Sequence, residues 1–143
     1  MLFSEALGRK VVSTADATTL GLIGSFVIDP RQRKVVALSL NKTSGSGSML
    51  PWPGINAFGA DAVTVTGADR LVLPDRELGE LDSKPHAILR KRVLTSAGYE
   101  IGTVRDVEFD PADGRLITLL MDEHNWDGQA LLGVGSYAVV VRA

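Results

Sequence analysis

The sequence predicts an all-β fold in which one small barrel-forming unit is used twice. Three observations carry this. The stretch "FVIDPRQRKVVALSL" (residues 26–40) returns as "VEFDPADGRLITLLM" (residues 107–121). Apolar residues alternate with polar ones over short runs, the period-2 pattern of half-buried strands. Glycine and proline punctuate those runs, while helical signals are scarce.

The repeat fixes the organisation. Sliding the second half back by 81 positions matches Arg9-Lys10 to Arg90-Lys91, Val12 to Val93, Thr14 to Thr95, Leu20-Gly21 to Ile101-Gly102 and Asp29-Pro30 to Asp110-Pro111. Read this way, the match runs without a gap to about Lys42. A later block, "FGADAVTV" from Phe58, lies over "VGSYAVVV" from Val134 at a shorter offset. Such self-similarity marks one supersecondary unit used twice.

Each copy opens with a strand at residues 9–13 or 90–95. A long hairpin follows. Val107 and Phe109 alternate with Asp106, Glu108 and Asp110, and Ile117, Leu119 and Met121 form one face of the next strand. "DPADGR" between them supplies a proline that cannot continue a ladder and an Asp-Gly suited to positive φ. "DPRQRK" lacks the glycine, so a turn of another type is expected there. Gly21 and Gly102 precede the long strands and predict bulges or bends. A closing strand is expected at residues 62–66 and 138–142. Short helical turns are expected at residues 4–7 and in "SKPHAIL", with Ser83 as N-cap. The charged, proline-bounded stretch 73–86 has no counterpart in the repeat. It supplies a linker, residues 73–82, between domains of residues 1–72 and 83–143.

Composition narrows the function. A chain of 143 residues with 45% hydrophobic and 22% charged residues has the balance of a folded globular protein. Without cysteine there is no disulfide scaffold, thiol nucleophile or thiolate metal site. A net charge of −2 gives no global field toward nucleic acid or anionic membranes. The opening "MLFSEALGRKVVS" has no secretory pattern, and no apolar run approaches the ~20 residues of a membrane helix. A cytoplasmic protein without membrane insertion is expected.

The order "GRKVVST", "LGLIGSFVID", "KVVALSL", "LPWPGINAFG", "DAVTV" resembles the PRC-barrel family. Its members include the cytoplasmic domain of the photosynthetic reaction-centre H subunit and the C-terminal domain of a bacterial ribosome-maturation factor. The second copy has no Pro-Trp-Pro in its "HNWDGQALLGVGSY" loop. The resemblance implies a strongly bent six-stranded barrel in each half, hence two tandem PRC-barrel-like β-barrels with a short linker. It also implies a non-enzymatic role in docking onto larger protein complexes, with no catalytic residues to carry over. The alternative within the family is an RNA- or ribosome-associated factor, against which the acidic balance stands.

Local motifs add little chemistry. Asp122, Glu123, His124 and Asp127 have metal-ligand atoms, but neighbours on a strand point to opposite faces, and a polar loop with Trp126 over a barrel end is the expected reading. "DPADG" lacks the remaining alternate ligands of a calcium loop. Arg90, Lys91 and Arg92, with Lys84, form the most basic stretch, but alternation splits it and no aromatics interleave. "KTSGSGSMLPW" (residues 42–52) lacks the Gly-Lys-Ser/Thr signature of a phosphate loop. Two histidines, with His86 placed in the linker, make no triad. No cofactor or metal is therefore expected.

One asymmetry between the copies points to binding. Val35, Ala37 and Ser39 correspond to Leu116, Thr118 and Leu120, and Val140 adds an apolar group on the closing strand. Strand alternation assigns Leu116, Leu120 and Val140 away from their own core. They are expected to form a contact surface, with the first half or with a second copy in a homodimer.

Overall fold

The computed structural model describes residues 1–43, 47–83 and 86–143. The fold is mostly β, as the alternation predicts. A short helix α1 (Phe3–Ala6) leads into β1 (Lys10–Ser13), β2 (Thr19–Asp29), β3 (Lys34–Asn41) and β4 (Met49–Pro51). A 3-10 turn at Trp52–Gly54 precedes β5 (Ala57–Phe58) and β6 (Ala62–Val65). The charged stretch forms helix α2 (Arg76–Leu81), N-capped by Asp75, whose carboxylate accepts the Leu78 amide at 2.8 Å. The expected turn in "SKPHAIL" includes Lys84 and Pro85, which lie outside the described residues.

The second half repeats the order with β7 (Arg92–Thr95), β8 (Glu100–Thr103), β9 (Asp106–Phe109), β10 (Leu116–Leu120) and β11 (Asn125–Asp127). A 3-10 turn at Gly128–Ala130 then leads to β12 (Leu131–Val134) and β13 (Val139–Val141). The first half makes one bent sheet, ordered β4-β3-β2-β1-β6-β5, and it stays open because β4 and β5 do not pair with each other. In both halves the closing strand lies parallel to the opening one, β6 on β1 and β13 on β7. The second half divides into two sheets, β12-β13-β7-β8 and β11-β10-β9.

The division has a local cause. β2 runs unbroken past Gly24, where an added Cβ would lie 2.8 Å from the Asn41 Cγ. At the corresponding place the second half has Arg105, whose guanidinium makes a two-point pair with Asp122 at 3.0 and 2.9 Å. A side chain there cannot share the space that Gly24 leaves to Asn41, and β8 and β9 part on either side of Val104-Arg105.

Both copies bulge beside the expected glycines. Val11 pairs with Gly21 and Val12 with Thr19, while Val93 pairs with Gly102 and Leu94 with Glu100. These pairings correct the expected register of the first strand: Val11, not Val12, is the counterpart of Val93, and both are fully buried. The turn after β1 is one residue longer than the turn after β7, and the gapless reading hid that insertion. A one-residue slip matters because it exchanges the two faces of a strand.

The hairpin turns are also more alike than their sequences. The Arg33 amide donates to the Asp29 carbonyl at 2.8 Å, and the Gly114 amide donates to the Asp110 carbonyl at 2.7 Å. The Asp29 and Asp110 carboxylates accept the amides of Arg31 and Ala112, each at 2.9 Å. Arg33 takes φ 56° where Gly114 takes φ 83°. The expectation of a different turn type is thus corrected: Arg33 adopts the left-handed conformation without glycine. Its position is held by its own Nε, which donates to the Leu131 carbonyl at 2.7 Å.

These two turns join the halves. The Val35 amide donates to Gly114 O at 2.8 Å, the Leu116 amide donates to Arg33 O at 3.0 Å, and Lys34 bridges to Arg115. Each bond is the other's counterpart in the repeat, so the bridge sits on a pseudo-two-fold axis. Behind it a single apolar cluster draws Val11, Leu38, Leu50 and Val63 from the first half and Val93, Val107, Leu119 and Val139 from the second. Phe109 inserts among first-half rings, 5.3 Å from Phe26, 5.4 Å from Phe58 and 5.5 Å from Phe3 between centroids.

A Cβ on Gly114 would meet Val35 O at 2.7 Å and the Trp52 ring at 3.3 Å. Gly114→Ala is therefore expected to destabilise the chain by about 1–3 kcal/mol in denaturant unfolding. Gly21→Val should do likewise, since its Cβ would lie 2.9 Å from Thr43 Cγ2. Wild-type unfolding of both variants would remove these contacts from the account.

Candidate functional site: two grooves and one outer face

The pseudo-symmetry sets two grooves against each other. In each, the proline of one half's hairpin turn faces the short fifth strand of the other half's unit. The first groove, about 310 Å³, lies between Asp29, Pro30 and Arg31, the α2 residues Glu77 and Glu80, His86, and Leu132–Val134 of β12. The second, about 360 Å³, lies between Pro111 and Ala112 and the residues Trp52, Ile55, Asn56, Ala57 and Phe58. The first is charged because α2 closes one side of it. The second has no charged side chain in its lining, which joins aromatic and aliphatic groups with Asn56 and exposed backbone.

Within the charged groove Asp29 is buried, and burial alone opposes its ionisation. Hydrogen bonds from Gln32 Nε2 (2.9 Å) and the Arg31 amide, with the Arg31 guanidinium at 3.6 Å, outweigh that and hold its carboxyl below the ordinary aspartate value. Arg31 also reaches Glu77 at 3.5 Å. Glu80 has no ion-pair partner among the described residues.

The outer faces of the two halves differ more sharply. In the second half Val140 of β13 pairs with Leu94 of β7 on one side and Gly133 of β12 on the other, while Leu132, in the bulge before Gly133, is 43% exposed and lines the charged groove and its neighbour Leu131 is fully buried. Tyr137, 66% exposed, stacks on Arg92, whose Cζ is 4.8 Å from the ring centre. Arg92 also faces Glu100 at 3.7 Å. The pairings place Val12, Thr64, Asn56 and Asp61 at the corresponding positions of the first half. There the Asn56 amide nitrogen donates to Thr64 Oγ1 at 3.2 Å, a polar surface. Tyr99, 70% exposed, stands at the end of the second sheet, where the first copy has Thr18.

The contact residues expected from alternation separate. Leu116 is not on an outer face: it is fully buried in the shared core. A register shift between Leu116 and Thr118 turns it inward together with Leu119, a bulge that strict alternation cannot show. Leu120 and Val140 are partly buried, Val140 on the apolar face just described. The signal that reasoning from one strand missed lies in the pair Tyr137/Asp61 of the later repeat block and in Leu132/Asn56, two residues before that block.

The other motifs weighed in the sequence are spread through the fold. Asp122 is taken by Arg105, Asp127 caps the following 3-10 turn by accepting the Gln129 amide at 2.8 Å, and Trp126 Nε1 donates to Arg142 O at 3.2 Å. Among the described residues no three His, Asp or Glu groups gather as for a metal. Asp110 serves the hairpin turn. In the basic stretch Lys91 donates to Gly135 O at 2.9 Å, and burial lowers its pKa, while Arg92 lies on Tyr137. His86 faces Ser83 Oγ at 3.0 Å beside the charged groove. Ser44, Gly45 and Ser46 of the expected loop lie outside the described residues.

These features define a small, bent, mostly β fold. Residues 83–142, 60 of the 143, match the model of the PRC-barrel domain family. No curated protein matches the chain.

Leu116→Ala is expected to cost about 2–5 kcal/mol in stability, the range for truncating a fully buried leucine. A loss below about 0.5 kcal/mol would return Leu116 to the surface. Asp29, with its lowered folded pKa, contributes stability that is present above the ordinary aspartate value and lost as pH falls through the folded one. Asp29→Asn should therefore flatten the fall of unfolding free energy below about pH 4, measured by urea titration at several pH values.

Proposed function

We propose that the chain is a non-enzymatic docking module, a cytoplasmic adaptor that holds onto a larger protein assembly. We read both halves as PRC-barrel units, residues 1–72 and 83–143, with residues 73–82 as the linker. The matching element order, the parallel pairing of closing on opening strand and the shared bulges support the tandem reading.

One observation carries the docking role. Val12 and Leu94 are apolar in both units, but Thr64, Asn56 and Asp61 of the first unit stand where the second has Val140, Leu132 and Tyr137. Two copies with one architecture serve as each other's control, so fold requirements alone do not account for the difference. An exposed apolar face at one copy only is the mark of a surface that meets a partner.

Affinity capture from the native cell with wild-type protein and a Leu132→Asp/Tyr137→Asp double variant tests this. Both side chains are exposed, so the variant should melt within a few degrees of wild type. The expected result is a protein captured at about 0.5 M salt by wild type and lost with the variant. RNA captured with a steep salt dependence, or capture indifferent to the variant, would defeat the reading.

A further inference from the structure

We propose that the free edge of β12 takes up an extended segment of a partner protein, with alternating apolar and basic side chains, as an added strand. The proposal rests on the docking reading above and deepens it by naming the chemistry of the partner.

The edge is available. β12 pairs with β13 on one side, and among the described residues no hydrogen bond joins Leu132–Val134 to any other element. Unpaired edges of this kind template another strand, and folded proteins ordinarily guard them with Lys, Pro or a covering element. β12 (Leu131–Val134) has neither residue, but Arg33 Nε takes Leu131 O and Lys91 Nζ takes Gly135 O, and Pro30 and α2 stand across the groove, so the free edge is Leu132–Val134. The other edge of the first-half sheet, by contrast, is bonded to Val72, whose amide and carbonyl both pair with Met49.

The edge also opens on two unlike surfaces. A strand laid along it would direct alternate side chains to opposite faces of the sheet. One set would extend the face of Val140 and Leu94. The other would enter the charged groove, where the carboxylates of Asp29, Glu77 and Glu80 face one guanidinium, Arg31, already engaged by Asp29 and Glu77. Among the described residues the surplus is negative, which suits a basic inward set. Main-chain bonds would supply affinity and the two surfaces the choice of partner.

Labelled ten-residue peptides read by fluorescence anisotropy test the proposal. One alternates valine and lysine, one alternates valine and glutamate, and a third is the lysine peptide with alternate amides N-methylated. Wild type should bind the lysine peptide saturably and the glutamate peptide at least tenfold more weakly. The methylated peptide should not bind. A Glu77→Lys/Glu80→Lys variant, altered only on the exposed α2 surface, should keep its melting temperature and reverse the charge preference. No saturable binding up to about 1 mM, binding that survives methylation, or a preference unmoved by the variant would overturn it. So would a wild-type dimer whose β12 edges are paired with each other. If those failures occur while capture still depends on Leu132 and Tyr137, edge pairing is wrong and the docking role stands.

Discussion

The bridge between Val35 and Gly114 and between Leu116 and Arg33 is the constraint on which the rest of the chain depends. It joins two turns that come from the same place in the repeat, and this makes the halves approach about a two-fold axis. Neither half has enough chain to bury a large core alone, since about 70 residues is near the lower limit for an independent domain. Bringing the hairpins together lets Phe109 from one half complete a ring cluster supplied by the other. Burial of an aromatic side chain of this size contributes about 1.5–3 kcal/mol. The inter-half contact is therefore part of the folding core rather than an attachment between finished domains.

The bridge holds because large and small groups are exchanged across it. Gly114 leaves room for Trp52 at the Trp52–Gly54 turn, and an added Cβ would lie 3.3 Å from the ring. On the other side of the axis Arg33 brings a long side chain to Leu131 O, and the turn just before Leu131 begins with Gly128, where a Cβ would come within 2.7 Å of the Leu116 backbone. The polar contacts are not repeated in the same way: Ser4 Oγ donates to Asp106, while Ser25, at the position that corresponds to Asp106, donates to Asp82 at 3.1 Å.

The β architecture, the repeat and the two hairpins were legible in the sequence because they rest on alternation and on Asp-Pro turns. What stayed hidden lies at positions where backbone geometry departs from side-chain pattern. Positive φ recurs at Gly8 and Arg90, at Ala17 and Gly98, and at Arg33 and Gly114, with glycine in only one member of each pair. Glycine is a permissive residue for such backbone, not an obligatory one, so its absence from "DPRQRK" said less than it seemed to say. The bulge at Leu116 and the one-residue insertion after β1 each exchange the faces of a strand, and period-2 reading has no means of seeing either. The linker's α2 and its place beside the charged groove were also beyond reach, because a charged, proline-bounded stretch reads equally as solvent-exposed chain.

The asymmetry of the outer faces follows from this division of labour. Stability comes from the inner faces and from the bridge, so residues such as Asn56, Asp61, Leu132 and Tyr137 can change without cost to the core. A side chain two-thirds exposed, such as Tyr137, contributes little to folding and still leaves well over a hundred square ångströms of aromatic surface available to a partner. The stacking of Tyr137 on Arg92 orients that surface, which lowers the entropy that binding would have to take up. Duplication thus supplies two scaffolds where folding needs both, while binding needs only one face. On the docking reading proposed above, the polar groups of the first face keep that side of the chain from joining the same contact.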